Sequence, residues 1–182
     1  MKKLFLIIIS FVVIASCTAT KEAKSSRAEL RKEKKLLEQT VVKNAVESKR
    51  YIIKFDRIYF TYGGIRELIP RANFLIVDKE RATLNTAYLG RQFDIKPIAA
   101  INIRGRAENY AVTDNLSKGS YEIKMKVNNG GSNTFDVFIT ISKNGYCSIS
   151  VSSLKIDNVN YAGYLVPITD KTNTLPQEGN PI

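Results

Sequence analysis

From Tyr121 to Leu154 apolar side chains fall at every second position, interrupted by two turn signals, and this pattern restricts both secondary structure and strand pairing. Tyr121, Ile123, Met125 and Val127 alternate with Glu122, Lys124 and Lys126, so the segment predicts a strand with one buried and one wet face. The next run presents Phe135, Val137, Ile139 and Ile141. Setting Val127 opposite Phe135, across the loop from Asn128 to Ser132, aligns all four apolar pairs. It also places Lys126 opposite Asp136 on the wet face, a pair worth roughly a few tenths of a kcal/mol.

The following turn, Lys143-Asn144-Gly145, decides between two registers. A two-residue Asn-Gly loop would set Ile141 opposite Ser148 and Ile139 opposite Ser150, turning one core face to water. A three-residue loop pairs Ile141 with Cys147, Ile139 with Ile149 and Val137 with Val151. That register is expected, and it needs a left-handed residue at the end of the turn, which Gly145 supplies as a bulge. Cys147 then faces the core.

The same alternation recurs upstream. Tyr51, Ile53 and Phe55 form one face of a strand with its turn at Tyr62-Gly63-Gly64; Phe74 to Val77 and Ala82 to Leu89 flank an Asp78-Lys79-Glu80 turn; Ile98 to Ile103 and about Val159 to Val166 complete the set. Before Tyr51 the period is helical. Ser26-Arg27-Ala28-Glu29 matches a capping box, and Leu30, Leu37, Val41 and Ala45 share one side of a helix ending near Ser48, with Leu36, Val42 and Val46 broadening its second half. Arg31, Lys32, Lys34 and Lys35 make the first half too polar to bury, so it reads as a solvated stalk or as a contact with anionic headgroups. The expected fold is therefore mainly β: an antiparallel meander of seven or eight strands closing into a barrel or sandwich, preceded by one N-terminal α-helix.

Residues 1–16 are expected to be an export leader and not part of the working protein. Met1-Lys2-Lys3 is a positive n-region, and Leu4 to Ile14 is an apolar stretch broken only by Ser10, the pattern of a secretory leader. It is too short for a hydrocarbon core of about 30 Å, which needs about 20 residues. Ile14-Ala15-Ser16-Cys17 resembles the lipobox of bacterial lipoproteins, which implies acylation of Cys17 and cleavage before it. Thr18 follows where an Asp would imply inner-membrane retention, so the resemblance implies an outer-membrane lipoprotein facing the periplasm. The expected organisation is a leader over 1–16, the lipidated Cys17 with a polar spacer to 26, the charged helix over 27–49, a β-rich domain over 50–167 and a disordered tail over 168–182.

The net charge of +11 does not make this a nucleic-acid binder. Residues 21–50 carry ten Lys/Arg against five Glu, whereas residues 51–182 carry 16 basic and 12 acidic side chains, so the excess sits outside the domain. With no His in the chain, Ser-His, Cys-His and His-ligated zinc chemistry are closed, and no metal or cofactor is expected. Gly63-Gly64 and Gly130-Gly131 belong to hairpin turns, not phosphate loops. Seven Asp are scattered singly at strand ends and turns, leaving a carboxylate-based hydrolase as the one enzyme class the residues do not close. No catalytic residue is assigned. Cys147, with no base to activate it, is expected to be a small buried hydrophobe.

Tyr88-Leu89-Gly90-Arg91, Phe135-Asp136-Val137-Phe138-Ile139-Thr140-Ile141-Ser142 with Gly145-Tyr146, Ser148-Ile149-Ser150-Val151 and Tyr161-Ala162-Gly163-Tyr164 resemble the Bacteroidetes lipoproteins grouped as domain-of-unknown-function family 4251, over about residues 45–166. That resemblance implies a lipobox, a helix and a β-rich domain, and no assigned activity. Ala87 stands where members of that family often carry Pro. The expected function is a non-catalytic lipoprotein whose sheet surface meets another envelope component or protein; the alternative is a barrel carrying a small apolar ligand. An enclosed cavity of about 300 Å³ or more would mark the carrier, and a filled core with an exposed aromatic patch the binder.

Overall fold

The computed structural model describes residues 27–60, 63–91, 99–128, 130 and 134–169. Residues 27–48 form a helix, α1. Nine strands follow: β1 (Arg50–Tyr59), β2 (Ile65–Glu67), β3 (Phe74–Asp78), β4 (Arg81–Ala87), β5 (Ala100–Asn115), β6 (Ser120–Asn128), β7 (Thr134–Ser142), β8 (Tyr146–Ser153) and β9 (Ile156–Pro167). Every pairing is antiparallel, and β9 returns to pair with β1. The sheet is thus a closed meander barrel. Eight strands make the wall; β2 pairs only with the last three residues of β1, on the edge whose first half is taken by β3. The leader, Cys17 and its lipobox residues Ile14, Ala15 and Ser16, and the tail from residue 170 lie outside the described residues.

The described residues divide between Glu38 and Gln39 into two units. In the first, every described residue from 27 to 38 is exposed. In the second, Val42, Ala45 and Val46 of α1 are buried in the same core as the strands. The charge pattern explains the contrast: the first half of α1 has no turn free of Lys, Arg or Glu, while 39–46 brings three small apolar side chains to one side.

The β6–β7–β8 meander has the register that its alternation dictates. Val127 lies opposite Phe135 and Lys126 opposite Asp136, whose side chains meet at 2.8 Å. Across the Lys143-Asn144-Gly145 turn, Ile141 pairs with Cys147, Ile139 with Ile149 and Val137 with Val151. All six are buried. Gly145 has φ +85°, and its amide donates to the Ser142 carbonyl at 2.8 Å. A Cβ there would sit 3.7 Å from Val42 Cγ2 of α1. Gly145→Val is therefore expected to destabilise the domain by more than about 1 kcal/mol, since a β-branched residue is poorly tolerated at positive φ. Lys143→Ala on the same loop should shift a urea unfolding midpoint hardly at all, and equal shifts for the two variants would refute the turn's role.

An eight-stranded barrel is just wide enough for side chains to fill. Here Tyr51, Ile53, Phe55 and Ile58 of β1, Leu75, Leu84, Ile123, Ile139, Ile149 and Tyr161 fill it. Phe55 stacks on Tyr161 with ring centroids 5.0 Å apart. Closure between β1 and β9 rests on two local devices. Asp56 is an extra residue in β1, so that Phe55 pairs with Gly163 and Arg57 with Ala162, which bends the strand. Gly163 has no Cβ, and the two backbones press together where one would stand: it would lie 2.0 Å from the Lys54 carbonyl oxygen.

Three elements exceed the expected pattern. β5 runs to Asn115 instead of stopping near Ile103, because both its edges are hydrogen-bonded: β4 pairs up to Arg106 and β6 from there to Asn115. Its inward positions include Gly105 and Ala107, which give little apolar signal, and a bulge with Asn109 at φ 53° shifts its facing midway. β2 consists of Ile65, Arg66 and Glu67, all exposed, so nothing in its composition marks a strand. β9 begins at Ile156, directly after a two-residue Leu154-Lys155 turn in which Leu154 is fully out in solvent. Tyr62, Ile98 and Gly131 from the expected turns and strands lie outside the described residues.

Candidate functional site

Inward positions take the apolar residues, so any chemistry must come from the outward ones. Among the described residues, the buried polar side chains are Asn73, Thr86 and Ser120, and no Asp or Glu is buried in the barrel. Asn73 is satisfied in place: its amide nitrogen donates to the Ile69 carbonyl, and its oxygen accepts from the Ala87 amide and the Thr86 hydroxyl. No group of three or more Cys, Asp and Glu suited to a metal occurs among the described residues.

Cys147 is fully buried beneath the Lys143–Gly145 turn, where its thiol donates to the Gly145 carbonyl at 3.3 Å. Burial pushes this thiol up to about 12, which leaves it un-ionised and inert at neutral pH. Tyr51 is also raised, first by burial and then by Tyr110, whose hydroxyl lies 3.1 Å from its own; Lys49 Nζ stands 4.9 Å from the Tyr110 ring.

The outer wall of β1, β9, β8, β7 and β6 is different in kind. Cross-strand pairing sets its outward side chains in rows: Tyr146–Tyr164–Lys54, then Ser148–Ala162–Arg57, then Ser150–Asn160–Tyr59. Phe138 continues the third row beyond Ser150, with Lys124 next to it. Four aromatic rings therefore share one outer surface. Tyr59, Phe138 and Tyr146 are half-buried and Tyr164 is 50% exposed. The Tyr146 and Tyr164 rings meet edge to face with centroids 5.3 Å apart, and Lys124 Nζ stands 5.8 Å from the Phe138 ring. Burial raises the Tyr146 phenol, and its hydrogen bond with Tyr59 raises it further. Ala162 is buried although it points outward, so it forms the floor of this aromatic and Arg57 rim. Asp56, the bulge residue, faces Arg57 Nε at 3.5 Å, and its Oδ1 is shut off from solvent without a hydrogen bond.

Next to the rings lies a depression of about 400 Å³ on the outside of β6, β7 and β8, lined by Asn109, Lys124, Lys126, Asp136, Phe138 and Ser150. The β5 bulge places Asn109 there. Such a surface has a hydrophobic centre, hydroxyl and amide groups around it and charges of both signs at its margin, the composition of a recognition surface. The expected sequence features do not include it. The signal was present: Phe138, Tyr146 and Tyr164 occupy the outward register of strands whose inward register is already filled, and large apolar residues there have no packing role inside.

A family model described as Domain of unknown function (DUF4251) matches residues 33–165. The chain belongs to this family. The match spans the end of α1 and the strands to within two residues of the end of β9, so the DUF4251 unit is the barrel with its docked helix. A crystal structure of a DUF4251 family protein from Bacteroides eggerthii DSM 20697 has the same fold, with a TM-score of 0.61 and 13% identity over 72% of this chain and 88% of that one. No curated protein matches the chain significantly.

Proposed function

We propose that this DUF4251 chain is an outer-membrane lipoprotein, held through acyl chains on Cys17 and facing the periplasm, whose barrel is a non-catalytic module that binds another envelope protein or component through its outer wall. The observation that carries this reading is the division of aromatic residues. Phe55, Tyr51 and Tyr161 fill the interior, where a carrier of apolar ligands would keep space, while Tyr59, Phe138, Tyr146 and Tyr164 are spread over one outer surface beside an open depression. Exposed aromatic rings set among small polar residues are the side chains that most often dominate binding energy at interfaces.

The wall also speaks against the barrel itself lying in lipid. Lys54, Arg104, Arg106, Lys124 and Lys126 occupy outward positions, the reverse of a membrane-spanning barrel, whose outer band is apolar. Among the described residues no helix is long and apolar enough to cross a membrane. Contact with the envelope is therefore assigned to the lipid anchor and to what the outer wall binds.

Photo-crosslinking in cells tests the surface. A benzophenone side chain at position 138, 146 or 164 is expected to give a discrete adduct, and one at position 104, on the β4–β5 side of the barrel, none. Adducts that are absent at all four positions, or equal at all four, would remove the outer wall as the binding surface. A small molecule retained by the purified barrel in native mass spectrometry would favour the carrier instead.

A further inference from the structure

The first half of α1 combines exposed leucines with exposed bases. Leu30 is 61% exposed, Leu36 64% and Leu37 65%; Leu30 and Leu37, seven residues apart, share one side of the helix, and Leu36 widens that side by about 100°. Arg27, Arg31, Lys32, Lys34 and Lys35 share this stretch, all exposed, and over residues 27–38 five basic residues stand against three Glu, of which Glu33 lies between the leucines and Glu38 pairs with Lys34. Three leucines exposed along a stretch rich in Lys and Arg form the pattern of a helix lying in a membrane interface.

Two occupants fit a helical apolar row, and the sequence of this one separates them. A second copy pairing as a coiled coil would need apolar residues at both seam positions of each heptad. Here the seam would read Leu30, Lys34, Leu37, Val41, Asn44 and Ser48, half of it polar. A lipid interface makes no such demand, because Lys34 can bury its methylenes along the row while its ammonium reaches the headgroups. Distance agrees. Cys17 precedes Arg27 by ten residues, which extended span at most about 36 Å, so acyl chains on Cys17 keep the start of α1 within that reach of the bilayer.

We infer that the first half of α1 lies in the headgroup region of the anchoring bilayer, with Leu30, Leu36 and Leu37 turned to the acyl chains and Arg27, Arg31 and Lys34 among anionic headgroups. This rests on the lipid anchor proposed above.

The full acylated chain, placed in vesicles of phosphatidylethanolamine and phosphatidylglycerol, provides the test. Single thiols are introduced as Leu37→Cys or, on the far side of the helix, Lys35→Cys, and labelled with bimane; the buried Cys147 does not compete. Lipids brominated on their acyl chains should quench the label at 37 at least about twofold more than the label at 35, as expected for one helix face at the acyl boundary. Intact-protein mass first establishes acylation of Cys17. If Cys17 carries no acyl chain, the anchor fails and this inference with it. If it is acylated and the two labels are quenched equally or not at all, the inference alone fails. Bromolipid-independent, concentration-dependent self-quenching at 37 would instead place a second copy on the row and overturn the lipid assignment.

Discussion

Gly163→Ala, a change of one methyl group, is expected to destabilise the barrel by about 3 kcal/mol or more, the upper range of an overpacking substitution. Gly163 is not at positive φ, so the effect is not one of backbone conformation. It comes from space: the added Cβ would stand 2.0 Å from the Lys54 carbonyl oxygen, 2.8 Å from its carbon and 2.9 Å from Phe55 Cα. All three atoms are backbone, held by the β1–β9 ladder and unable to rotate away. The neighbourhood offers no relief, because Phe55 opposite Gly163 is fully buried and stacked on Tyr161. Making room means parting β1 from β9 at the seam that closes the barrel, so the loss should appear as a lower midpoint in urea with a reduced slope if the seam frays. Gly63→Ala serves as the comparison, since a Cβ there meets nothing within 4 Å, although its φ of +87° carries a strain of its own. Should Gly163→Ala unfold at the wild-type midpoint, β1 and β9 are not packed as closely as described, and the account of closure fails.

How much of this was readable beforehand depended on whether burial or backbone pairing holds a segment in place. In β6, β7 and β8 the inward residues are apolar and, Phe138 apart, their neighbours along the strand are mostly polar or charged, so the alternation fixes strand, face and register together, down to Ile139 against Ile149. The second half of β5 offers no such pattern: its residues are mostly exposed, and it is a strand because β6 supplies hydrogen bonds along it. Closure was equally hidden. Alternation is the same in a sandwich and in a barrel, and what selects the barrel is the Asp56 bulge opposite a glycine, neither of which has a hydrophobic signature. The outer aromatic wall was half legible, since Phe138, Tyr146 and Tyr164 are out of phase with the core residues, but only the pairing of β8 with β9 and β9 with β1 brings them side by side.

Cys17→Ala is expected to abolish incorporation of labelled palmitate and to move the chain from the membrane pellet to the soluble fraction. The magnitude follows from the acyl chains: each buried methylene contributes about 0.8 kcal/mol, so two or three chains hold a protein effectively permanently where one gives only reversible binding. Nothing else described in the chain approaches that. The outward face of the barrel carries Lys54, Arg104, Arg106, Lys124 and Lys126, and the exposed Leu30, Leu36 and Leu37 of α1 stand among charged residues, too little apolar surface to retain a chain without an anchor. Leu4 to Ile14 is shorter than the roughly 20 residues that cross a bilayer, so a leader left uncleaved by the substitution should hold the variant less firmly than acyl chains do. An alkaline carbonate wash separates the cases: it should strip the unlabelled variant and leave the wild type in the pellet. Palmitate label persisting on Cys17→Ala would put the acyl chain elsewhere, and a wild-type chain that takes up no label would end the lipoprotein reading and leave the start of α1 a solvated helix.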